Sequence, residues 1–556
     1  MDAATHDPGT TRHSGDRPRI LVELQPCFDG FAGIPQETRL LYAMLAGTPA
    51  VEVGGWVNTY LGSRRPFTVS RPASKARPKK AAAAASRARF QQARALVAVD
   101  WLVSEGKTSR SASARLEKGG LRQWWAEFRY LAGWRDPGEL LPIDSREFAD
   151  LLWVHLFEKS LPPDAMAKVL GTPFFVSSVG RKVAEHFARW KGREQPIKTG
   201  GWDFFLCQKG CAYRLPSGTR PVVRYHDAIP VFLPHTIVDQ RSHLKSHYHA
   251  LRASVRSGAH FVCVSEPVRQ DLLRLAPEAA EEVSIIPDIV SSEYWPADAS
   301  GPMIAEIAGL RECSLSAPTD SAGAANRAVA LQAISEGCRY LLAVGTLEPR
   351  KNIALLLRAF EAALRQEPAT KLILVANPGW RFKDELQAIG KLVRLGRVIH
   401  LWRVPTEELR VLYSNAQAVV CASRSEGFDL AGEEAMLCGA TVLASDIPVH
   451  RWVYGDHATY FNPYDREALA RCLIETLATR RDLDRVREVR EAGRRHVRQY
   501  TDAAVQPQWE RLFERLMTQR GNATQPARSQ SAPGTIGPGG TLAPATMAAG
   551  RGGPDE

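Results

Sequence analysis

The chain has no long apolar run, and this absence excludes one class of protein. No stretch of about 18 or more apolar residues occurs in the 556-residue sequence, so the sequence predicts no membrane-spanning helix. Residues 1–8 are polar and lack the apolar segment of a secretory signal. We therefore expect a cytoplasmic protein, with the inner face of the cytoplasmic membrane as a candidate location.

Cysteine is scarce, and its pattern does not indicate disulfides or a metal site. The nine cysteines are spread along the chain and odd in number, which predicts free thiols in a reducing compartment. Cys207 and Cys211 have no second pair of ligands nearby. His243, His247 and His249 have helical spacing but no accompanying carboxylate motif, so we interpret them as surface residues. No metal is expected.

The positive charge of the chain is concentrated in one stretch. Residues 61–122 contain fifteen Lys or Arg and three Asp or Glu, an excess that equals the net charge of +12 of the whole chain. Such a stretch can bind an anionic membrane surface or nucleic acid, or it can be a solvated, partly helical insertion. We favour the membrane surface. Nucleic acid is not expected, because no binding motif accompanies the charge.

Composition and periodicity predict two α/β domains. A hydrophobic content of 44% with 24% charged residues is typical of a globular protein, and the chain is too long for one domain. Two series of alternating strands and helices predict two doubly wound parallel sheets. The predicted division is 1–17 disordered, 18–296 first domain with a basic insertion at about 61–135, 297–336 an extended linker, 337–500 second domain, 501–519 a final helix and 520–556 a disordered tail.

The segment 425–436 is the most informative part of the sequence. It follows an apolar run at 418–422 that predicts a buried strand, and it leads into a helix that ends at Gly439. Glu426 therefore lies in a strand–loop–helix junction and Glu434 in the early helix. Parallel sheets bind ligands at such strand ends, where a helix N-terminus suits a phosphate. A solvated loop with a helix-start glutamate is the alternative interpretation.

This segment resembles the E-x7-E signature, E-G-F-G-L-P-x-x-E-A-M, of the retaining group 1 glycosyltransferases (glycosyltransferase family 4). The similarity continues through 439–448, where the family has G-x-P-V-[IL]-A-S. The resemblance implies the GT-B fold, two Rossmann-like domains that face each other across a cleft, with the final helix returning to the first domain. Asp429 stands where the family usually has Gly, and it adds a negative charge near the donor diphosphate.

A second motif follows the first predicted strand of the second half. Residues 345–352 read G-T-L-E-P-R-K-N, and cations are disfavoured at a helix N-terminus, so Arg350 and Lys351 require an anionic partner. An ordinary basic helix start is the alternative. The segment resembles the family's donor-phosphate motif, which implies that Arg350 and Lys351 contact the nucleotide diphosphate and that Gly345 lies at the donor. Thr346 stands where many members carry Arg.

Two elements of the first half resemble the donor-binding loops of the family. His226 ends a predicted strand as part of Y-H-D-A-I-P, and although a lone His is more often structural, the resemblance implies that His226 lies against the donor sugar. Gly30 and Gly33 belong to a glycine loop that opens a helix. The resemblance implies that the backbone N–H groups near Gly33 approach the donor.

The resemblance also implies the remaining roles and the reaction. Glu434 would hold the ribose and Glu426 the hydroxyls of the donor sugar, while Phe428, Asp429 and Leu430 would line the donor site. The enzyme would be a hexosyltransferase that retains configuration and needs no metal or other cofactor. Its donor would be a GDP- or UDP-linked sugar, with mannose favoured, and its acceptor a glycan or lipid-linked acceptor of a bacterial surface polysaccharide.

Two other classes of function remain open at this point. Asp429 and Thr346 are departures from the family pattern that favour a catalytically inert GT-B scaffold in a polysaccharide assembly complex. The basic stretch 61–122 leaves a nucleic-acid-binding protein as the second alternative.

Overall fold

The structure is a computed structural model, and it describes most of the two predicted domains. The described residues are 17–28, 30, 33–58, 140–177, 194–211, 213–237, 239–379, 381–478 and 483–524. The predictions for residues 1–16, for the basic insertion and for the tail beyond 524 lie outside the described residues.

The described residues contain sixteen strands. They are β1 Arg19–Glu23, β2 Glu52–Asn58, β3 Leu141–Ile143, β4 Phe174–Ser177, β5 Gln195–Pro196, β6 Phe204–Cys207, β7 Tyr213–Arg214, β8 Arg220–Tyr225, β9 His260–Cys263, β10 Val283–Ile285, β11 Tyr340–Leu347, β12 Lys371–Pro378, β13 Val398–Leu401, β14 Ala418–Cys421, β15 Val442–Ser445 and β16 Thr459–Phe461.

Helices alternate with these strands. They are α1 Ile34–Ala46, α2 Ala149–Leu152 (continued by a π-helix, Trp153–Phe157), α3 Ala165–Leu170, α4 Ile229–Phe232, α5 Gln240–Arg256, α6 Glu266–Leu275, α7 Gly301–Leu310, α8 Ser321–Ser335, α9 Ile353–Ala363, α10 Lys383–Arg394, α11 Thr406–Asn415, α12 Leu430–Leu437, α13 Pro448–Tyr454, α14 Arg466–Ala478, α15 Leu483–Val497 and α16 Asp502–Thr524. The 3-10 turns are Gln25–Phe28, Pro234–Thr236, Pro277–Glu282, Pro349–Lys351 and Arg498–Tyr500.

The first domain is built on a sheet with the strand order β10-β9-β8-β6-β1-β2-β4-β3. All neighbours are parallel except β3, which runs antiparallel to β4. Successive residues of β1, Ile20 to Val22, are fully buried, because helices cover both faces of a parallel sheet. The chain passes from β1 to β2 on one side and later to β6 on the other, so the strand order reverses beside β1.

The second sheet has the order β13-β12-β11-β14-β15-β16, and all its neighbours are parallel. The chain runs outward from β11 to β12 and β13 and then returns to β14. The loops after β11 and β14 therefore leave the sheet side by side, at the point where the strand order reverses. Open α/β sheets bind their ligands at this point.

The prediction of an extended linker over residues 297–336 is wrong, because this segment contains α7 and α8. Pro302 lies in the first turn of α7, and Asp320 caps α8 by accepting a hydrogen bond of 2.6 Å from the Gly323 N–H. The segment is rich in alanine, which favours helix but contributes little hydrophobic contrast, so its periodicity is weak in the sequence. Ile307 of α7 and Ile334 of α8 are buried in the same core as Leu401 of β13.

The last helix, α16, packs on the first domain although it follows the second domain in sequence. Its Phe513 ring lies 5.2 Å from the Phe204 ring of β6, measured between centroids, and Trp509 is fully buried. The bond between the Val290 N–H and the Tyr500 carbonyl, 2.9 Å long, joins the two chain crossings between the domains. Among the described residues, no helix combines the length and apolar character needed to cross a bilayer.

Candidate active site

An ion cluster occupies the point where the strand order of the second sheet reverses. Arg350 and Lys351 lie in the turn after β11, and Glu426 lies in the loop after β14. The Glu426 carboxylate is 2.5 Å from Nη1 of Arg350 and 2.6 Å from Nζ of Lys351. The Ser423 hydroxyl donates a third bond of 2.6 Å to it. The structure thus brings three of the predicted residues into direct contact.

The charges of this cluster stabilise one another. Burial alone would raise the pKa of Glu426, but Arg350 and Lys351 outweigh it and hold the pKa below its usual value. Burial alone would lower the pKa of Lys351, but the negative charges of Glu426 and Asp429 outweigh it and raise the pKa above its usual value. All three groups are therefore ionised at neutral pH, although their side chains are largely removed from water.

Asp429, the departure from the family pattern, is fully engaged by side chains of α13. The Tyr454 hydroxyl donates a 2.8 Å bond to Oδ2, and Nε2 of His450 lies 3.2 Å from the same oxygen. Lys351 Nζ is 3.8 Å from Oδ1. Burial would raise the pKa of Asp429, yet Lys351, His450 and Tyr454 together lower it. The extra negative charge is thus compensated within the protein.

The carboxylate of Glu434 joins the second domain to the first. Gln36 of α1 donates a 2.8 Å bond to Oε1, and the Tyr413 hydroxyl donates a 3.0 Å bond to Oε2. Burial raises the pKa of Glu434, and these two hydrogen bonds oppose the increase. The resulting pKa is about 7. Gly33 precedes α1 with a φ of 68°, a conformation that favours glycine, so the glycine loop leads into the helix that contacts Glu434.

His226 lies at the end of β8, against the loop that carries Glu426. A Cβ at Gly427 would be 1.8 Å from the His226 carbonyl oxygen, so only glycine allows the two domains to approach this closely. The Nε2 atom of His226 is 2.7 Å from Oε1 of Gln208. Burial and the positive charges of Arg224 and Lys209 hold the pKa of His226 well below its usual value, so the ring is neutral.

A cluster of buried acidic side chains, Glu37, Asp288 and Glu433, lies behind the contact between His226 and Gly427. The sequence analysis did not predict this cluster. Arg224 donates hydrogen bonds of 3.0 Å to Glu37 and 2.8 Å to Asp288. Glu433 is fully buried, and neither of its carboxyl oxygens has a hydrogen-bond partner among the described residues. Burial, followed by the negative charges of Asp288 and Asp429, raises the pKa of Glu433 well above its usual value. The environment of Glu433 therefore favours its protonated form.

The remaining predicted donor-site residues surround the cluster at different distances. A Cβ at Gly345 would lie 3.5 Å from Cε of Lys351, so this glycine is next to the cations. Leu430 begins α12, directly after Asp429. The Phe428 ring packs against Tyr500 at 5.4 Å and Trp452 at 6.1 Å, measured between ring centroids. Phe428 thus anchors the loop by packing.

Two predicted surface histidines differ in their environments. Nε2 of His247 is 2.9 Å from the Tyr225 hydroxyl, and the side chain is partly buried, so the prediction that His247 is a surface residue is wrong. His249 is exposed. Helical periodicity turns His247 towards β8, which the spacing of the histidines alone does not reveal.

The second half of the chain is similar to a family of known proteins. Residues 329–496 match the family model described as glycosyl transferases group 1. The O-antigen chain mannosyltransferase B of Escherichia coli is 35% identical over 139 residues, which are 25% of this chain and 36% of that protein. The O-antigen chain mannosyltransferase RfbU of Salmonella typhimurium is 24% identical over 362 residues, which are 64% of this chain and 87% of that protein.

The first curated relatives are matched over only part of their length, 36% of one and 20% of the next. Among solved structures, the sucrose-phosphate synthase of Thermosynechococcus elongatus has a TM-score of 0.49 at 16% identity, and the match covers 91% of this chain and all (100%) of that one.

The described residues form two doubly wound, mostly parallel sheets that meet at the ion cluster, and the predicted arrangement of two Rossmann-like domains is confirmed. Residues 329–496 are the part of the chain that matches the group 1 glycosyltransferase model.

Proposed function

We propose that the chain is a hexosyltransferase that moves a mannosyl residue from a nucleotide sugar to a glycan or lipid-linked acceptor of a bacterial surface polysaccharide. The observation that carries the proposal is the pair of cations, Arg350 and Lys351, on either side of Glu426 at the point where the strand order reverses. The mannosyltransferases among the relatives support the choice of sugar and of acceptor class.

Arg350 and Lys351 receive the charge of the departing nucleotide diphosphate. Phosphate oxygens compete with Glu426 and Asp429 for the two cations, which are held in place by the turn after β11. The N-terminus of α12 adds the partial positive charge of its free N–H groups. Fixed donors of this kind stabilise charge that develops in the transition state.

Glu426, His226 and Glu434 position the donor. The ionised carboxylate of Glu426 accepts hydrogen bonds from the hydroxyls of the sugar, and the neutral His226 ring exchanges hydrogen bonds with the same sugar from the first domain. Glu434 accepts hydrogen bonds from the ribose hydroxyls. Gln36, which contacts Glu434, then lies next to the nucleoside.

The transfer retains the configuration of the sugar and needs no metal ion. The bond between the anomeric carbon and the phosphate oxygen breaks as the bond to the acceptor oxygen forms on the same face, and the departing phosphate takes the proton of the acceptor hydroxyl. Glu426 and Asp429 are both held by cations, which makes them poor nucleophiles and favours this direct route.

The proposal is tested with the purified full chain and a panel of GDP- and UDP-linked sugars. A thermal shift with GDP-mannose and GDP, absent in Glu434→Ala and kept in the exposed-site control Glu467→Ala, supports the donor site. Transfer of labelled mannose to a mannosylated polyprenyl diphosphate, with the anomeric configuration assigned by NMR, supports the reaction. Transfer that depends on an added divalent cation would contradict metal independence.

The inert scaffold gives a different result in the same experiment. Nucleotide binding without transfer or donor hydrolysis would favour it. The environment of Asp429 speaks against it, because Lys351 compensates the charge that departs from the family pattern and Tyr454 donates a hydrogen bond to it.

A further inference from the structure

Helix α5 presents a stripe of exposed apolar and basic side chains. The exposed fraction is 38% for Leu244 and 47% for Tyr248, and Arg241 and Lys245 are exposed beside them. Positions 241, 244, 245 and 248 share one side of a helix. Phe232 at the end of α4, 44% exposed, adds a third large apolar side chain next to α5. These five residues are called the α5 face below.

The charge of α5 has one sign. Arg241, Lys245, Arg252 and Arg256 are its charged residues, and the helix contains no Asp or Glu. Arg252 pairs with Glu278 and Arg256 with Glu194, whereas Arg241 and Lys245 have no ion-pair partner among the described residues.

Another basic helix of the chain provides a contrast. Helix α15 is rich in arginine as well, but it carries Asp484, Glu488 and Glu491 among its arginines. Mixed signs are typical of a helix that faces water, whereas one sign beside exposed apolar groups is typical of a helix at an anionic interface.

We propose that the α5 face docks on an anionic lipid bilayer. Leu244, Tyr248 and Phe232 enter the boundary between headgroups and acyl chains, while Arg241 and Lys245 meet the lipid phosphates. Nucleic acid matches the charge of this face but offers no apolar phase for its three large side chains. The combination of apolar groups and unpaired cations on one stripe therefore favours the bilayer.

Docking through α5 also orients the candidate active site. A neighbouring side of α5 is fixed to the domain, because Leu251 and Ser254 are buried. Its His247 contacts the Tyr225 hydroxyl at 2.9 Å, one residue before His226. A bilayer on the outer side of α5 thus lies one helix away from the end of β8. This benefit for a lipid-linked acceptor rests on the proposed function, whereas the docking itself does not.

Flotation of the purified full chain with vesicles tests the proposal. The vesicles are phosphatidylcholine alone or phosphatidylcholine with 30% phosphatidylglycerol, at two salt concentrations. Because each basic side chain near such a surface changes binding about fivefold, Arg241→Gln with Lys245→Gln is expected to weaken binding to anionic vesicles by roughly tenfold or more. The pair Leu244→Ser with Tyr248→Ser is expected to weaken it by a similar factor and to leave the salt dependence in place.

Exposed residues of the second domain provide matched controls. Leu310→Ser with Val329→Ser removes apolar side chains that are 70% and 63% exposed, and Arg487→Gln removes an exposed basic one. The controls are expected to bind vesicles as the parent chain does. The thermal shift with nucleotide should be unchanged in the α5-face variants, which separates a failure of docking from a failure of the proposed function.

Three results would overturn the proposal. Vesicle binding that is equal in the parent chain and in both α5-face variants would exclude this surface. Binding that disappears only when residues 61–122 are deleted would assign the membrane contact to that stretch. Retention of RNA, lost in the Arg241 and Lys245 variant of a chain that does not float with vesicles, would identify the α5 face as a nucleic-acid site.

Discussion

The side-chain amide of Gln36 donates a 2.8 Å hydrogen bond to Glu434, a residue 398 positions later in the other domain. Glu434 is also the residue proposed to hold the ribose of the donor. A nucleotide that bonds to this carboxylate must share it with Gln36 or displace the amide. We therefore expect donor binding to be linked to the contact between the domains, because a ligand shifts an equilibrium when its affinity for the two states differs.

Replacing Glu434 with Ala is expected to weaken nucleotide binding by about tenfold or more, because a hydrogen bond to a charged group contributes about 1.5–3 kcal/mol. Isothermal titration with GDP measures the change. Glu467→Ala, on the exposed side of α14, is the control and should bind as the parent chain does. Equal affinity in Glu434→Ala and the parent chain would remove Glu434 from the donor site.

Lys351→Ala is expected to lower turnover by about a hundredfold, the size of effect seen when a fixed donor to transition-state charge is removed. The free energy of unfolding should change much less, since Glu426 keeps Arg350 at 2.5 Å and Ser423 at 2.6 Å. Steady-state kinetics and urea unfolding measure the two effects. A variant that unfolds readily but keeps its turnover number would assign Lys351 a purely structural role.

Asp429→Ala is expected to destabilise the fold by about 1–3 kcal/mol, because the buried Tyr454 hydroxyl loses its carboxylate acceptor and Lys351 loses a negative charge at 3.8 Å. Asp446→Ala provides the matched comparison. Its ion pair with Arg451 is about half exposed on both sides and should contribute at most about 1 kcal/mol. Chemical unfolding of both variants checks the difference, and equal losses would contradict the compensation of Asp429.

The pH dependence of stability should report the buried Glu433. Because the pKa of Glu433 is raised in the fold, the folded chain holds this proton at a pH where the unfolded chain has released it. The free energy of unfolding therefore decreases as the pH increases from the usual pKa of a glutamate towards the raised pKa. Glu433→Gln carries no ionisable proton. We expect the stability of the variant relative to the parent to increase as the pH rises above about 5, by at most about 1.4 kcal/mol per pH unit.

Urea unfolding across that pH range measures the effect of Glu433→Gln, with Glu467→Gln as the exposed control. A difference between Glu433→Gln and the parent that stays constant with pH would mean that Glu433 is ionised in the fold. The control should show no increase with pH, because the pKa of Glu467 is lowered by its hydrogen bond with Arg466.

Local patterns predict the elements and the ion cluster well. The apolar run of β14, the loop with Glu426 and the start of α12 are adjacent in the sequence, and so are β11 and the pair Arg350–Lys351. Parallel strands then bring the two loops together, because their carboxyl ends share one edge of the sheet. The proximity of Glu426 to the two cations thus depends on these local features together with the pairing of β11 with β14, whereas their direct contact was not predicted.

Contacts between distant elements are not predictable in this way. His450 and Tyr454 are one helical turn apart, but nothing in their spacing indicates that they face Asp429. The bond between Gln36 and Glu434 depends on how the domains pack, which no local pattern encodes. The helices α7 and α8 were missed for a different reason, since alanine gives helices without a strong apolar periodicity.

The pairing of Val290 with Thr501 has a consequence for how substrates enter and leave the proposed site. The chain crosses between the domains twice, and the two crossings are hydrogen-bonded to each other at 2.9 Å between the Val290 N–H and the Tyr500 carbonyl. Because the two crossings are tied at one place, we expect the domains to rotate about that place rather than slide past each other. For the proposed transferase, this predicts that donor, acceptor and both products enter and leave through one opening between the domains.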